Sequence, residues 1–227
     1  VLRPSLRAAR RRVAATLLSV QVLGQAVIDW GLSITQILLC LATCAVLEVT
    51  IVARRLGVLA WPASALLTGN GVALLLRVPG TEHGDWWSAR GWPIFVGTAA
   101  LAVLSKYLIR VGGRPLFNPS NLGLVLCFVV LGSQRVEPQD LWWGPWSPGL
   151  ALTYAVIIVG GVLVTRRLDL LGVGISFWAA LAVALGVVAL SGHAITARWH
   201  VGLLTDWAWW WIIVSSPETL IFLFFMI

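Results

Sequence analysis

The sequence predicts an all-α, polytopic membrane protein: about eight membrane segments in this chain, arranged as a two-half bundle with interrupted helices. Three observations carry that expectation. Of 227 residues, 59% are hydrophobic and only 11% are charged, with a mean hydropathy of +0.90. A soluble domain is typically about 45–50% apolar and about 25% charged. Apolar runs approaching the roughly 20 residues that cross a bilayer recur between short polar links, which leaves no room for a separate soluble domain. The basic residues are also one-sided. Arg3, Arg7, Arg10, Arg11, Arg12, Arg54, Arg55, Lys106, Arg110, Arg114, Arg166 and Arg167 fall at one set of segment ends, against Arg77, Arg90, Arg135 and Arg198 at the other. That asymmetry places the first set, and with it the N-terminus, in the cytoplasm.

Taken in order, helix one is expected over about Val13 to Ile28, with a tight external turn at Asp29-Trp30-Gly31. The preceding Arg10-Arg11-Arg12 resembles a signal peptide, but no small-residue cleavage site follows, so a retained helix is expected. Helix two covers Ser33 to Ala53 and stops at Arg54-Arg55. Segment three, Val58 to Leu76, contains Pro62 and an expected interruption at Gly69-Asn70-Gly71. After the external loop 79–91, helix four runs from Trp92 to Ile109. Segment five, Ser120 to Leu131, is short, so its start at Asn118-Pro119 is expected inside the protein. Helix six is Gly149 to Val164, helix seven Leu170 to Leu190, and segment eight Trp207 to Ile227, broken at Ser216-Pro217-Glu218. The halves are 1–133 and 149–227. The chain begins with Val1 and ends in an apolar run, so the whole protein is expected to extend at both ends.

Of 14 tryptophans, twelve fall on the external side and only Trp61 and Trp178 do not. An aromatic belt populates both interfaces. The excess reads either as an outer-leaflet anchor or as an aromatic surface that receives a flat ligand or other membrane subunits. The net charge of +7 is distributed by topology rather than as a patch, which excludes nucleic acid as a partner. Cys40 and Cys44 share a helix face; packing is favoured over metal ligation.

Non-helical backbone at membrane depth is tolerated only where protein or a cavity surrounds it. In transporters such breaks point to binding sites. Three breaks are expected: Pro62 with Gly69-Asn70-Gly71, Asn118-Pro119, and Pro217-Glu218. Glu48, Lys106 and Glu218 are the ionisable groups within segments, each costing about 3 kcal/mol unless paired or wet. Glu48 and Lys106 lie near the inner ends of their helices and can snorkel, or pair with Arg54 or with each other, whereas Glu218 near mid-segment reads equally as a ligand carboxylate or an ion-pair partner. Asn70, Asn118, Asn121, Glu218 and Thr219 are expected to converge on one cavity between the halves. No nucleotide loop, zinc spacing or hydrolase triad is visible, so the chain shows no catalytic apparatus of its own.

The stretch 66–132 contains Thr68-Gly69, Lys106, Gly112-Gly113 and Phe117-Asn118-Pro119, and the terminus reads SPETLIFLFFMI. This order resembles the membrane subunits NqrB of the sodium-pumping NADH:quinone reductase and RnfD of the Rnf electron-transport complex. Within that family it is most similar to compact actinobacterial members encoded among enediyne biosynthesis genes. The resemblance implies about ten helices in the complete fold, a bacterial plasma-membrane location and a role in flavin- or quinone-linked transmembrane electron transfer. Together with the residues at the expected breaks, it gives Thr68, Asn70, Lys106, Asn118, Asn121, Glu218 and Thr219 as the candidate cofactor-binding residues. Family members attach FMN to a threonine of a Ser/Thr-Gly-Ala-Thr motif; here the corresponding loop reads WWGPWSPGLALTY, with Thr153 the nearest threonine. Covalent FMN is therefore not expected, and noncovalent FMN, riboflavin or quinone remains. A permease or channel, and a structural subunit of a larger membrane complex, are the competing classes.

Overall fold

The computed structural model describes residues 8–132, 134–139, 147–192 and 206–225, the side chains of 8–12, 206–209, 218, 222 and 225 excepted. Trp142, Trp143, Trp146, Trp199, His193 and His200 lie outside the described residues. The chain forms two compact units, Val1–Gln139 and Asp140–Ile227.

In the first unit, α1 (Ala8–Val27) turns into α2 (Ile34–Leu56) through Asp29, whose φ is +57°. The Trp30 ring folds back against Gly24, where any side chain would collide with it. Trp30 is only 2% exposed. This corrects the expectation that it belongs to an outward aromatic surface: the tight turn aims the ring into the unit. Ser33 caps α2 in a capping box, accepting from Gln36 N while the Gln36 side chain accepts from Ser33 N. Gly57, in the left-handed region at φ +66°, ends it.

The central element is α3 (Ala63–Leu75), which packs on α1, α2, α4 (Trp92–Leu108) and α5 (Pro119–Leu131). Nine of its residues are buried, from Ala63 to Leu74. It is continuous, so the expected break at Gly69-Asn70-Gly71 does not exist. The glycines thin the helix instead: a Cβ at Gly69 would sit 2.8 Å from the Cys40 carbonyl oxygen of α2. Small residues let helix backbones approach in this way. At 13 residues α3 is about 20 Å long, short of the roughly 30 Å hydrocarbon core. Its far end is completed by β1 (Leu76–Arg77), which pairs antiparallel with β4 (Glu137–Pro138).

Sequence-adjacent helices α2 to α5 alternate in direction. One end of the unit therefore collects Arg54, Arg55, Lys106, Arg110 and Arg114, and the other Trp30, Trp86, Trp87 and Trp92. At the arginine end α4 and α5 are joined by the hairpin of β2 (Arg110–Val111) and β3 (Arg114–Pro115). Its turn residues Gly112 and Gly113 have φ of +57° and +78°, which only glycine adopts freely.

The second unit holds α6 (Pro148–Arg167), α7 (Leu171–Leu190), α8 (Asp206–Ser215) and α9 (Pro217–Phe225). The expected break at Ser216 is present and separates α8 from α9. Gly161 of α6 faces the Phe224 ring of α9 with no room for a side chain.

Among the described residues, α2, α6 and α7 are long and apolar enough to cross a membrane. Val13–Val27, α3, α4 and α5 are shorter apolar helices, and the eighth expected segment is the α8–α9 pair.

Candidate functional site

Glu48, near the arginine end of α2, faces α4. Lys106 Nζ lies 2.7 Å from Glu48 Oε1 and donates to Ser64 Oγ of α3 at 3.1 Å. The Tyr107 hydroxyl donates to Glu48 Oε2 at 2.6 Å. Thr68, one turn along α3, donates its hydroxyl to the Ser64 carbonyl at 3.1 Å. The Arg55 guanidinium lies 5.3 Å from the centre of the Tyr107 ring, a cation–π distance. One ion pair thus ties three helices together, with its side chains 20% and 12% exposed.

Both carboxylate oxygens of Glu48 are engaged, and Lys106 uses two of its three ammonium donors. The charge of Lys106 is balanced within the chain, so this lysine is not a free anion receptor. Its chemistry is that of a charge-balanced, hydrogen-bonded group that joins three helices. Cys44, one turn from Glu48, and Cys40 pack against α4, their sulfurs 3.6 Å and 3.9 Å from the Ala99 and Phe95 carbonyls. Among the described residues no group of three or more His, Cys, Asp or Glu is arranged to hold a metal ion.

Of the candidate residues, Thr68 and Lys106 both bond to Ser64, the first to its main-chain carbonyl within α3 and the second to its hydroxyl. Asn70 is buried in α3, 9% exposed, farther from the arginine end. Asn118 caps α5: its Oδ1 accepts from Ser120 N at 3.2 Å and from Ser120 Oγ at 2.8 Å. Asn118 is exposed. This corrects the expectation that segment five begins in the interior: the β2–β3 hairpin delivers the chain to α5 at the unit's surface. Asn121, within the first turn, is half-buried.

Thr219 belongs to the second unit, and so does Glu218, whose side chain lies outside the described residues. Thr219 donates its hydroxyl to the Ile213 carbonyl at 2.6 Å, and its N–H to Ser216 Oγ at 3.0 Å. Tyr154 donates to the Ser215 carbonyl at 3.1 Å and Trp178 Nε1 to that of Val214 at 2.9 Å. The carbonyls that a helix break frees are therefore taken by side chains from α6, α7 and α9, rather than left for a ligand. Thr153, in α6 and 1% exposed, donates to the Gly149 carbonyl at 2.9 Å.

Sequence reasoning missed Ser64 and Tyr107, and left Glu48 out of the site. Their signal was weak: Tyr107 adjoins Lys106 and Ser64 stands one turn before Thr68, but the meeting of three helices has no local signature. Compared with known proteins, the chain matches no family model, and no curated protein matches it.

Proposed function

We propose that this chain is a bacterial plasma-membrane subunit associated with flavin- or quinone-linked electron transfer, serving a specialised biosynthetic pathway of the enediyne type. In this reading about eight segments lie in the bilayer with the N-terminus in the cytoplasm. Flavin or quinone is held noncovalently, and other membrane subunits dock on the tryptophan-rich external side. The observation that supports it most is the Lys106–Glu48–Ser64 cluster. Two of the residues that carry the resemblance, Thr68 and Lys106, come from separate helices and both bond to Ser64, Thr68 to its main-chain carbonyl and Lys106 to its hydroxyl. The burial of the Thr153 hydroxyl inside α6 accords with a flavin that is not ester-linked. The absorption spectrum of protein extracted in mild detergent tests the reading. A visible flavin band, or quinone in the organic extract at near one per chain, is expected; colourless protein with no extractable quinone refutes it.

A structural subunit is the second reading, favoured by the closure of the polar groups. Glu48 and Lys106 satisfy each other, and the carbonyls at the Ser216 break are taken by this chain's own side chains. Colourless protein that co-purifies with stoichiometric partner subunits would select it.

A further inference from the structure

We propose that the β2–β3 hairpin, with the adjoining end of α2, is a binding surface for the headgroups of anionic phospholipids. The proposal rests on the unit being embedded in a membrane and not on the redox reading, so it stands whether or not a flavin is found.

The hairpin emerges where α4 ends, at the last point that apolar helix can occupy. Arg110 and Arg114 stand on it, exposed, with Arg54 and Arg55 exposed at the end of α2. None of the four has an acidic partner among the described residues, where the ion pairs are Arg77–Glu137, His83–Asp29 and Lys106–Glu48. Among the described residues of this unit, the carboxylate toward this end is Glu48, already paired with Lys106. Among the described residues of the first unit, these four positive charges have no carboxylate paired with them.

The arginines alternate with large apolar side chains that are themselves open. Val111 is 65% exposed, Leu116 54% and Phe117 52%. A soluble acidic partner would match the charge but leave these side chains in water. The boundary of an anionic leaflet matches both, with acyl chains against Val111, Leu116 and Phe117 and phosphates against the guanidiniums. The shape is set in advance. The Gly112-Gly113 turn shapes the hairpin, and Arg110 donates to the Gly113 carbonyl. The planar guanidinium fork suits the bidentate recognition of phosphate.

The test uses the full chain in lipid nanodiscs, with Val111→Cys carrying an environment-sensitive fluorophore; the native cysteines are buried. Quenching by brominated phosphatidylglycerol is compared with quenching by brominated phosphatidylcholine at equal mole fraction. The anionic lipid is expected to quench more strongly. That preference should fall about fivefold for each of Arg110→Gln and Arg114→Gln, and weaken as salt shortens the screening length. Arg110→Lys and Arg114→Lys, which keep the charge but lose the fork, should weaken the preference by less than the Gln variants do, and Arg90→Gln at the other end should leave it intact. Equal quenching by the two lipids, or a preference that survives the double Gln variant, overturns the proposal. So does a probe that neither lipid quenches, because the hairpin would then lie in water or against protein.

Discussion

Replacing Lys106 by Met removes the cation that balances Glu48 and two hydrogen bonds, while keeping the apolar stem. The carboxylate would keep only the Tyr107 hydroxyl as a partner. Breaking a buried ion pair by deleting one member costs about 3–5 kcal/mol, because the other charge stays behind. A ceiling exists, since a glutamate can take up a proton from neutral water for about 3–4 kcal/mol. The expected loss for Lys106→Met is therefore about 3–4 kcal/mol. Glu48→Gln alone should cost a comparable amount by stranding the ammonium. The double variant, in which an uncharged Gln still meets the Tyr107 hydroxyl, should return to within about 1 kcal/mol of the natural chain. The three free cysteines, Cys40, Cys44 and Cys127, are all buried in the first unit. Their reactivity toward a thiol reagent thus reports opening of that unit alone, which a whole-chain melt of two units does not. At about 1.4 kcal/mol per tenfold, Lys106→Met should speed thiol modification by two to three orders of magnitude, and the double variant by less than about tenfold. A single-variant effect under about tenfold, or strictly additive effects, would show the pair to be solvated and the three-helix tie to be empty.

Gly69→Ala places a methyl group 2.8 Å from the Cys40 carbonyl and should cost about 1–3 kcal/mol as α2 and α3 are pushed apart. Gly97→Ala, where a Cβ meets nothing within 4 Å, should gain up to about 1 kcal/mol by helix propensity; thiol protection ranks the two. In intact cells, an impermeant thiol reagent should label Glu82→Cys and spare Arg166→Cys, both exposed positions; labelling at 166 reverses the orientation. Denatured protein should show no in-gel flavin fluorescence at the mass of the chain, since the loop lacks the threonine motif. A fluorescent band would place the flavin on a residue outside that motif.

Helix positions were legible because each is bounded by residues with one physical meaning. Arg54-Arg55 end helix two, and Ser216-Pro217 breaks segment eight. Helix-breaking residue types misled where their role is tertiary. Gly69-Asn70-Gly71 reads as a break because glycine in water weakens a helix by about 1 kcal/mol. In a helix enclosed by four others, it is the feature that permits close packing. Asn118-Pro119 reads as an interior mouth from the shortness of segment five, but the hairpin before it carries the chain at the surface. Lys106 and Glu48 were both visible as costly charges. Their mutual pairing, 58 residues apart in sequence, was one of the options that their places near helix ends allowed; the choice among these depends on the rotation of two helices, which periodicity does not fix when nearly every position is apolar.

Polar satisfaction divides the first unit unevenly, and a pair of glutamines tests what that means. Gln36 is fully buried, and its side chain accepts from Ser33 N at 2.9 Å and donates to Thr81 Oγ1 at 3.0 Å and to the Arg90 carbonyl at 2.8 Å. It ties the 79–91 loop to the start of α2. Gln36→Leu would strand several of these partners, at about 1–3 kcal/mol each, so a loss of at least about 3 kcal/mol is expected. Gln21 is almost as buried, at 4% exposed, yet its Nε2 has no partner among the described residues. It lines an apolar groove of about 370 Å³ between α1 and α2, with Gln25 and Trp86. If the groove holds only lipid, Gln21→Leu removes an unmet donor and should be neutral or stabilising by up to about 2 kcal/mol. Thiol protection in detergent and in native membranes gives the sign. Destabilisation by more than about 1 kcal/mol in the membrane would refute a groove filled by lipid alone, and would mean that the Gln21 amide meets a polar group that the chain itself does not supply.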